Sequence, residues 1–432
     1  RILRMKNKSI KDILNKSSRV FTLRIVSIIS GFFLMYLITN IYGTEGMGIF
    51  ALSQTILMIM VMFSVFGTDT ASLKYSSQYF TNNDYSKLNS FYFSILKFVI
   101  VSSVFISIII FLVKGELSVF FNKNLLNHSL FFISLSILPM SFININSESL
   151  RGIGRYSLFT TFRYVLIPVF TILFIYIYGN NNDLLIPIKA YAISICIISL
   201  LSFISLFKEI KFFKYFSNIN SNLNDVIKYS FPVLISNSML LLIQWIDIII
   251  LGYFETSNTV GIYSVIMKIS LFSSVILFSI NSIVASEFSK LYSLDKMDDL
   301  RVLIKKSSKI IFFITIPILI LIVYFSEFIL GYFGAEFIMA NKTLHILIAG
   351  QFINILCGSV GYILMMTEKQ NIFKNIMIFA TCVNIILNIV LIPNYSINGA
   401  AIASSVSLIL WNVISFSYIY RKYNISTIWF IR

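Results

Sequence analysis

Charged residues are scarce in this chain. Of 432 residues only 12% are Asp, Glu, Lys or Arg, against 57% hydrophobic, and the mean hydropathy is +0.86. A soluble protein of this length would have too little polar surface to present to water, so the composition excludes one. Histidine is nearly missing: His128 and His345 stand far apart in sequence, which argues against a histidine-based metal centre. Cysteine is scarce too. Cys196, Cys357 and Cys382 each fall inside an apolar run, with no CxxC spacing, and read as small buried hydrophobes. The basic stretch with Arg1, Arg4, Lys6, Lys8, Lys11, Lys16 and Arg19 has no short apolar core leading to a small-residue cleavage site. No cleavable signal peptide is expected there.

What abounds is apolar runs long enough to cross about 30 Å of hydrocarbon. Twelve spans are predicted, at 20–41, 47–68, 91–113, 129–147, 157–178, 184–207, 229–251, 260–285, 308–331, 343–366, 374–392 and 399–420. Helix is the state expected of each, because a lipid-facing backbone must satisfy its own hydrogen bonds. The fold class is therefore an all-α polytopic membrane protein. With the N-terminus inside, the 34 Lys and Arg divide into 27 cytoplasmic, three outward (Lys114, Lys123, Lys342) and four within spans. That asymmetry fits the positive-inside rule and puts both termini in the cytoplasm. It also assigns the net charge of +16 to topology and anionic-lipid contact, not to nucleic acid.

Gly46-Met47-Gly48-Ile49-Phe50 echoes Thr259-Val260-Gly261-Ile262-Tyr263, and Ala190-Tyr191-Ala192-Ile193-Ser194 echoes Ala400-Ala401-Ile402-Ala403-Ser404. Two six-helix halves of like orientation would give this repeat. The expected layout is a basic amphipathic segment 1–19, an N-lobe 20–207, a cytoplasmic linker 208–228, a C-lobe 229–420 and a cytoplasmic tail 421–432.

The seventh span, Phe231-Pro232 through Gln244-Trp245-Ile246-Asp247 to Gly252, resembles a known family, as does Val260-Gly261-Ile262-Tyr263 at the start of the eighth. So do Ser359-Val360-Gly361-Tyr362 to Thr367, and Ile392-Pro393-Asn394-Tyr395-Ser396-Ile397-Asn398-Gly399-Ala400-Ala401 to Ser404. The resemblance is to Wzx-type flippases of the multidrug/oligosaccharidyl-lipid/polysaccharide exporter superfamily, and it covers essentially the whole chain. It implies two pseudo-symmetric six-helix lobes around a central cavity, in the bacterial cytoplasmic (inner) membrane. It further implies a cargo, an undecaprenyl-diphosphate-linked oligosaccharide for O-antigen, lipopolysaccharide or capsule assembly, moved between leaflets by alternating access. Contact with a polysaccharide polymerase and chain-assembly proteins goes with that role.

Ionisable groups within spans are costly and read first as functional. Arg24 and Lys97 lie about 7–10 Å from the cytoplasmic face at 1.5 Å per residue, within reach of a diphosphate. Snorkelling to the interface is the competing reading. Lys189 and Lys268 lie nearer the outer face and complete the cationic substrate-binding set. Asp247 is the one acid well inside a span. Asn384 and Asn388 share a helix face, and Ser404 stands at a depth like that of Asp247 and Asn388. One carboxylate with amide and hydroxyl oxygens is hard-cation chemistry, which makes these four an ion-coupling candidate for sodium. Some members of the superfamily are sodium-coupled in this way, and Asn388 departs from relatives that carry a carboxylate there. An Asp247–Lys268 ion pair and a proton-titrating Asp247 remain open beside it.

Two other functions compete. A multidrug exporter of the same superfamily would lack the intramembrane cations, since its usual cargo is itself cationic. A membrane-embedded polymerase or ligase needs a sizeable outward loop or paired acids. Glu45, Glu116, Asp183, Glu255, Glu327 and Glu336 show no pair at catalytic spacing, so no enzyme is expected.

Overall fold

The computed structural model describes residues 2–179, 183–211 and 223–428. Much of the expected linker, Arg1, residues 429–432 and all side chains before residue 19 lie outside this set, and with them the amphipathic face of the N-terminal segment. Helix accounts for 89% of the structure, with no strand among the described residues.

The chain begins with α1 (Ile2–Val65), α2 (Thr68–Thr81), α3 (Tyr85–Phe120) and α4 (Asn124–Gly152). α5 (Tyr156–Thr160) passes through a π-helical turn, Thr161–Val165, into α6 (Leu166–Tyr178), with α7 (Ile186–Glu209) and α8 (Leu223–Phe254) next. Then come α9 (Ser257–Leu271), α10 (Ser274–Ser293), α11 (Met297–Tyr324) and the short α12 (Ser326–Gly331) and α13 (Ala335–Ile338). α14 (Asn341–Cys357), α15 (Val360–Met366) and α16 (Gln370–Tyr423) complete it.

Two of these helices hold two expected spans each. α1 breaks at Gly43 (φ 69°, ψ −172°) and α16 at Ser396 (φ 49°, ψ −131°). Glycine takes the first conformation without steric cost, whereas Ser396 holds a strained one, at about 1–2 kcal/mol. Among the described residues, seven helices are long and apolar enough to cross a membrane, or up to nine if each bent pair counts as one span.

Two spans expected to be continuous are bent, and a third, though unbroken, changes helix type. α9 and α10 meet at a 45° bend, and α14 and α15 at one of 44°. At the first, the Oγ atoms of Ser270 and Ser273 donate to the carbonyls of Met267 and Ser270, competing with the helix ladder. At the second, Gly358 takes φ +68°, which ends α14. The fifth expected span carries the π-helical turn, and its cause is Pro168. Proline has no N–H for the carbonyl four residues back, that of Tyr164. Ser27 Oγ, from α1, donates to that freed oxygen at 3.1 Å.

The chain divides into two compact units, Arg1–Ser238 and Met239–Arg432. The division falls inside α8, not in the segment 208–228. At Gly67 (φ +75°) a Cβ would stand 2.6 Å from the Ser230 carbonyl oxygen, so the first half of α8 rests on the bare glycine backbone in unit 1. In unit 2 a core of Phe288, Ile304, Cys357, Val360, Phe373 and Ile419 ties α10, α11, α14, α15 and α16 together.

Candidate functional site

Unit 2 buries one carboxylate among hydrogen-bond donors. The break at Ser396 folds α16 back, so Asn388, eight residues before it, and Ser404, eight after it, come to one level. The short Glu255–Thr256 link does the same for Asp247 on α8 and Tyr263 on α9. These four side chains meet. Tyr263 Oη donates to Asp247 Oδ2 at 2.6 Å, Asn388 Nδ2 donates to Asp247 Oδ1 at 2.7 Å, and Ser404 Oγ donates to Oδ2. Asn388 Nδ2 also reaches the backbone oxygen of Asn384 at 2.9 Å and its Oδ1 at 3.2 Å. Asp247, Tyr263, Asn384 and Asn388 are fully buried.

Asp247, Asn384, Asn388 and Ser404 are thus brought together. Tyr263 is the member that the residue pattern missed, because one tyrosine among 23 in an apolar stretch carries no distinguishing mark. Its one signal is depth, since it stands within one residue as far beyond the Glu255–Thr256 link as Asp247 stands before it.

The oxygen set suits a hard monovalent cation. It offers one carboxylate, one phenol, one hydroxyl and two amide oxygens, and Asn388 Oδ1 is buried with no protein partner among the described residues. No group of three or more His, Cys, Asp or Glu gathers among the described residues, which leaves no multi-acid divalent or thiolate site there. The expected alternative of an Asp247–Lys268 pair is not formed: no ion pair among the described residues joins them. The reason is helical geometry. Lys268 lies five residues beyond Tyr263, roughly 140° around the helix, so it turns away when Tyr263 faces Asp247. Lys268 is exposed.

The other three cations belong to unit 1 and stand on separate supports. The Arg24 guanidinium lies 3.8 Å from the Tyr164 ring centroid, on the π-helical turn that Pro168 and Ser27 create. Lys97 is exposed, with Nζ 4.5 Å from the Phe93 ring of its own helix. Lys189 pairs with Asp183 at 2.6 Å. Beside Arg24's support, Arg163 donates to Asn144 Oδ1, and Tyr92, Asn146 and Ser202 form a buried hydrogen-bonded string.

A set of helices long and apolar enough to cross a membrane, with one caged carboxylate among them, defines a multi-pass membrane protein. The family described as polysaccharide biosynthesis protein matches residues 13–286, and the MatE family matches residues 232–390. The first covers more than half of the chain, so the protein belongs to the polysaccharide biosynthesis family, a family of transporters within the multidrug/oligosaccharidyl-lipid/polysaccharide exporter superfamily and not of enzymes.

Over 177 residues it is 25% identical to the probable low-salt glycan biosynthesis flippase Agl15 of Haloferax volcanii, covering 41% of this chain and 38% of that one. An uncharacterized membrane protein of Methanocaldococcus jannaschii is 25% identical across 85% of this chain and 77% of its own. The capsular polysaccharide biosynthesis protein CapF of Staphylococcus aureus is 28% identical over 58% of this chain and 64% of its own. The chain thus spans well under half of Agl15. Among solved structures, the lipid II flippase MurJ in an inward closed conformation aligns with a TM-score of 0.77 at 16% identity, covering 93% of this chain and 87% of that one. An inward-facing multidrug resistance MATE family transporter aligns at 0.76 with 15% identity, covering 93% and 94%. These two likenesses show the fold.

Proposed function

We propose that the protein is a flippase that carries a diphosphate-linked oligosaccharide between the leaflets of a cytoplasmic membrane by alternating access, coupled to a monovalent cation at the Asp247 cluster. The observation that carries the reading is the family match over 13–286, joined by relatives described as a glycan biosynthesis flippase and a capsular polysaccharide biosynthesis protein. An undecaprenyl carrier and O-antigen or capsule assembly are the cargo and pathway this favours, with anionic lipids and a polymerase as partners.

Twelve spans in two six-helix lobes remain the layout that best fits the helices. Counting α1 and α16 as two spans each, the two bent pairs as one each, and α8 as one brings the seven continuous candidates to twelve. With both termini cytoplasmic, the turn at Asp295 faces inward and the Glu255–Thr256 link outward. Cysteines placed there, in a background without the native three, test it. Labelling of Asp295→Cys by an impermeant reagent in intact cells would reverse the topology.

Arg24 has the properties of a phosphate contact. Its face rests on Tyr164, which orients the guanidinium, and its exposed N–H edge can form a bidentate pair with a phosphate group. Lys97 and Lys268 add exposed positive charge. A bound cation would be held by Asp247 with the oxygens of Tyr263, Asn384, Asn388 and Ser404, and would supply the counter-charge that the carboxylate otherwise lacks.

The test is reconstitution in liposomes holding a fluorescent diphosphate-linked oligosaccharide, with leaflet residence read by quenching. Movement driven by an imposed sodium gradient supports the reading. A protein that moves no such lipid but extrudes a cationic dye is instead a multidrug exporter, the reading that the MatE match over 232–390 favours.

A further inference from the structure

Unit 2 holds a second buried polar cluster, two helical turns along α16 from Ser404. Ser274 Oγ donates to Gln351 Oε1 at 2.8 Å, and Asn354 Nδ2 donates to the same oxygen at 3.2 Å. Asn412 Nδ2 donates to Asn354 Oδ1 at 3.1 Å. Ser274 is the first residue of α10, just past one bend, and Asn354 lies one turn before the other. The string of side chains therefore links the two bent spans.

Register shows what stands beside the second bend. Ser405 Oγ donates to the Ile346 carbonyl, and Asn412 pairs with Asn354, so α16 and the helix α14 run side by side at a nearly constant offset. Three residues past Asn412, Ser415 comes level with Cys357 and Gly358. From the side of α11, Ser308 Oγ lies 2.7 Å from where a Cβ of Gly358 would be. Ser359 stands on the break itself. Asn412, Ser415, Ser308 and Ser359 are all at most 1% exposed. Among the described residues, Asn412 Oδ1 and the three hydroxyls have no protein partner.

Buried polar atoms without partners are costly; Ser308 and Ser359 stand at the break, Asn412 and Ser415 lie within about a turn of it along α16, and the four need an occupant. All four side chains are neutral. A cation would be held there without counter-charge, whereas a water molecule needs only two to four polar partners. We propose that the Gly358 break is a buried hydration site, where ordered water bridges α11, α14 and α16 and lets the bend between α14 and α15 work as a hinge. Water can re-form its bonds at more than one bend angle, which a direct side-chain contact cannot. The inference does not depend on what the protein carries.

Radiolytic hydroxyl-radical footprinting of the intact protein in lipid nanodiscs tests it, because radicals arise from bound water in place. Cys357, 3% exposed and next to Gly358, is the reporter, and the fully buried Met47 of unit 1 is the dry control. With each rate divided by that of the free amino acid, since a thiol is intrinsically more reactive than a thioether, Cys357 should be oxidised at least about tenfold faster than Met47 if water lies against it. In Ser308→Val/Ser415→Val, with the pocket filled, Cys357 should fall to the rate of Met47. Equal rates in the wild type overturn the proposal. So does a sodium-dependent rise in melting temperature that survives Asp247→Asn and is lost on adding Asn412→Leu, since that cluster would then hold a cation.

Discussion

The two compact units treat charge in opposite ways. In unit 1, Arg24 on Tyr164 and Lys97 on Phe93 are exposed, Lys189 is half-buried in its pair with Asp183, and unit 2 has one exposed counterpart, Lys268. In unit 2, an anion is sealed away, with Tyr263, Asn388 and Ser404 all donating to Asp247. An exposed cation keeps much of its water and can exchange it for a ligand at little cost. A buried anion must have a partner in every state of the molecule. On the proposed function, unit 1 would meet the anionic cargo and unit 2 would respond to the small ion.

The sharpest way to break this contrast is at Asp247. Sodium at about a hundred times its dissociation constant should stabilise the wild type by about 2.7 kcal/mol. Asp247→Asn should remove the response, read as the thermal midpoint with and without sodium, and should abolish gradient-driven transport. An unchanged sodium shift in the variant would remove the ion from unit 2.

Arg24 is the corresponding test of unit 1. Arg24→Ala should slow glycolipid movement on the order of tenfold or more, because a charge-assisted bidentate pair is lost, and Arg24→Lys should recover part of it. Its thermal midpoint should barely move, unlike that of a unit 2 variant. Normal transport by Arg24→Ala would mean that the guanidinium only stacks.

Tyr263→Phe sharpens the comparison further. It deletes one bond to a charged acceptor and should cost about 1.5–3 kcal/mol of unfolding stability. A loss below about 0.5 kcal/mol would show the cage complete without it.

The smallest effect is expected at Asp183. Burial raises its carboxyl pKa, but the bonds from Lys189 Nζ and the Leu185 N–H outweigh this and hold it below the ordinary 3.8. A depressed carboxylate stabilises the fold above that ordinary value and loses its contribution as pH falls through the lower, folded one. The pair is more than a third exposed, so the effect is slight. The wild type should lose a little more thermal stability than Asp183→Asn as the pH is taken below 4, and parallel curves would show the pair idle.

Much of this was legible in the sequence. Apolar runs mark most of the helices because lipid leaves the backbone no other state. Asn384 and Asn388 stand out by i,i+4 spacing, and Asp247 and Ser404 by equal depth. Tyr263 and the Ser274–Gln351–Asn354–Asn412 string were not legible. Each is a polar residue in an apolar stretch whose partners lie on other helices, and hydropathy has no term for that. The bends escaped for a related reason: Ser270, Ser273 and Gly358 barely lower the hydropathy of their spans, yet they decide the backbone. The π-helical turn needed Pro168 and Ser27 to be considered together across 141 residues.

The breaks at Gly43 and Ser396 leave no slack in the chain. Each reverses direction through a single non-helical residue, with helix on both sides. One inserted or deleted residue would rotate the next helix by roughly 100° and turn its buried face outward. Length variants should therefore be rejected at these two corners, and an epitope tag placed after Gly43 or Ser396 should unfold its unit.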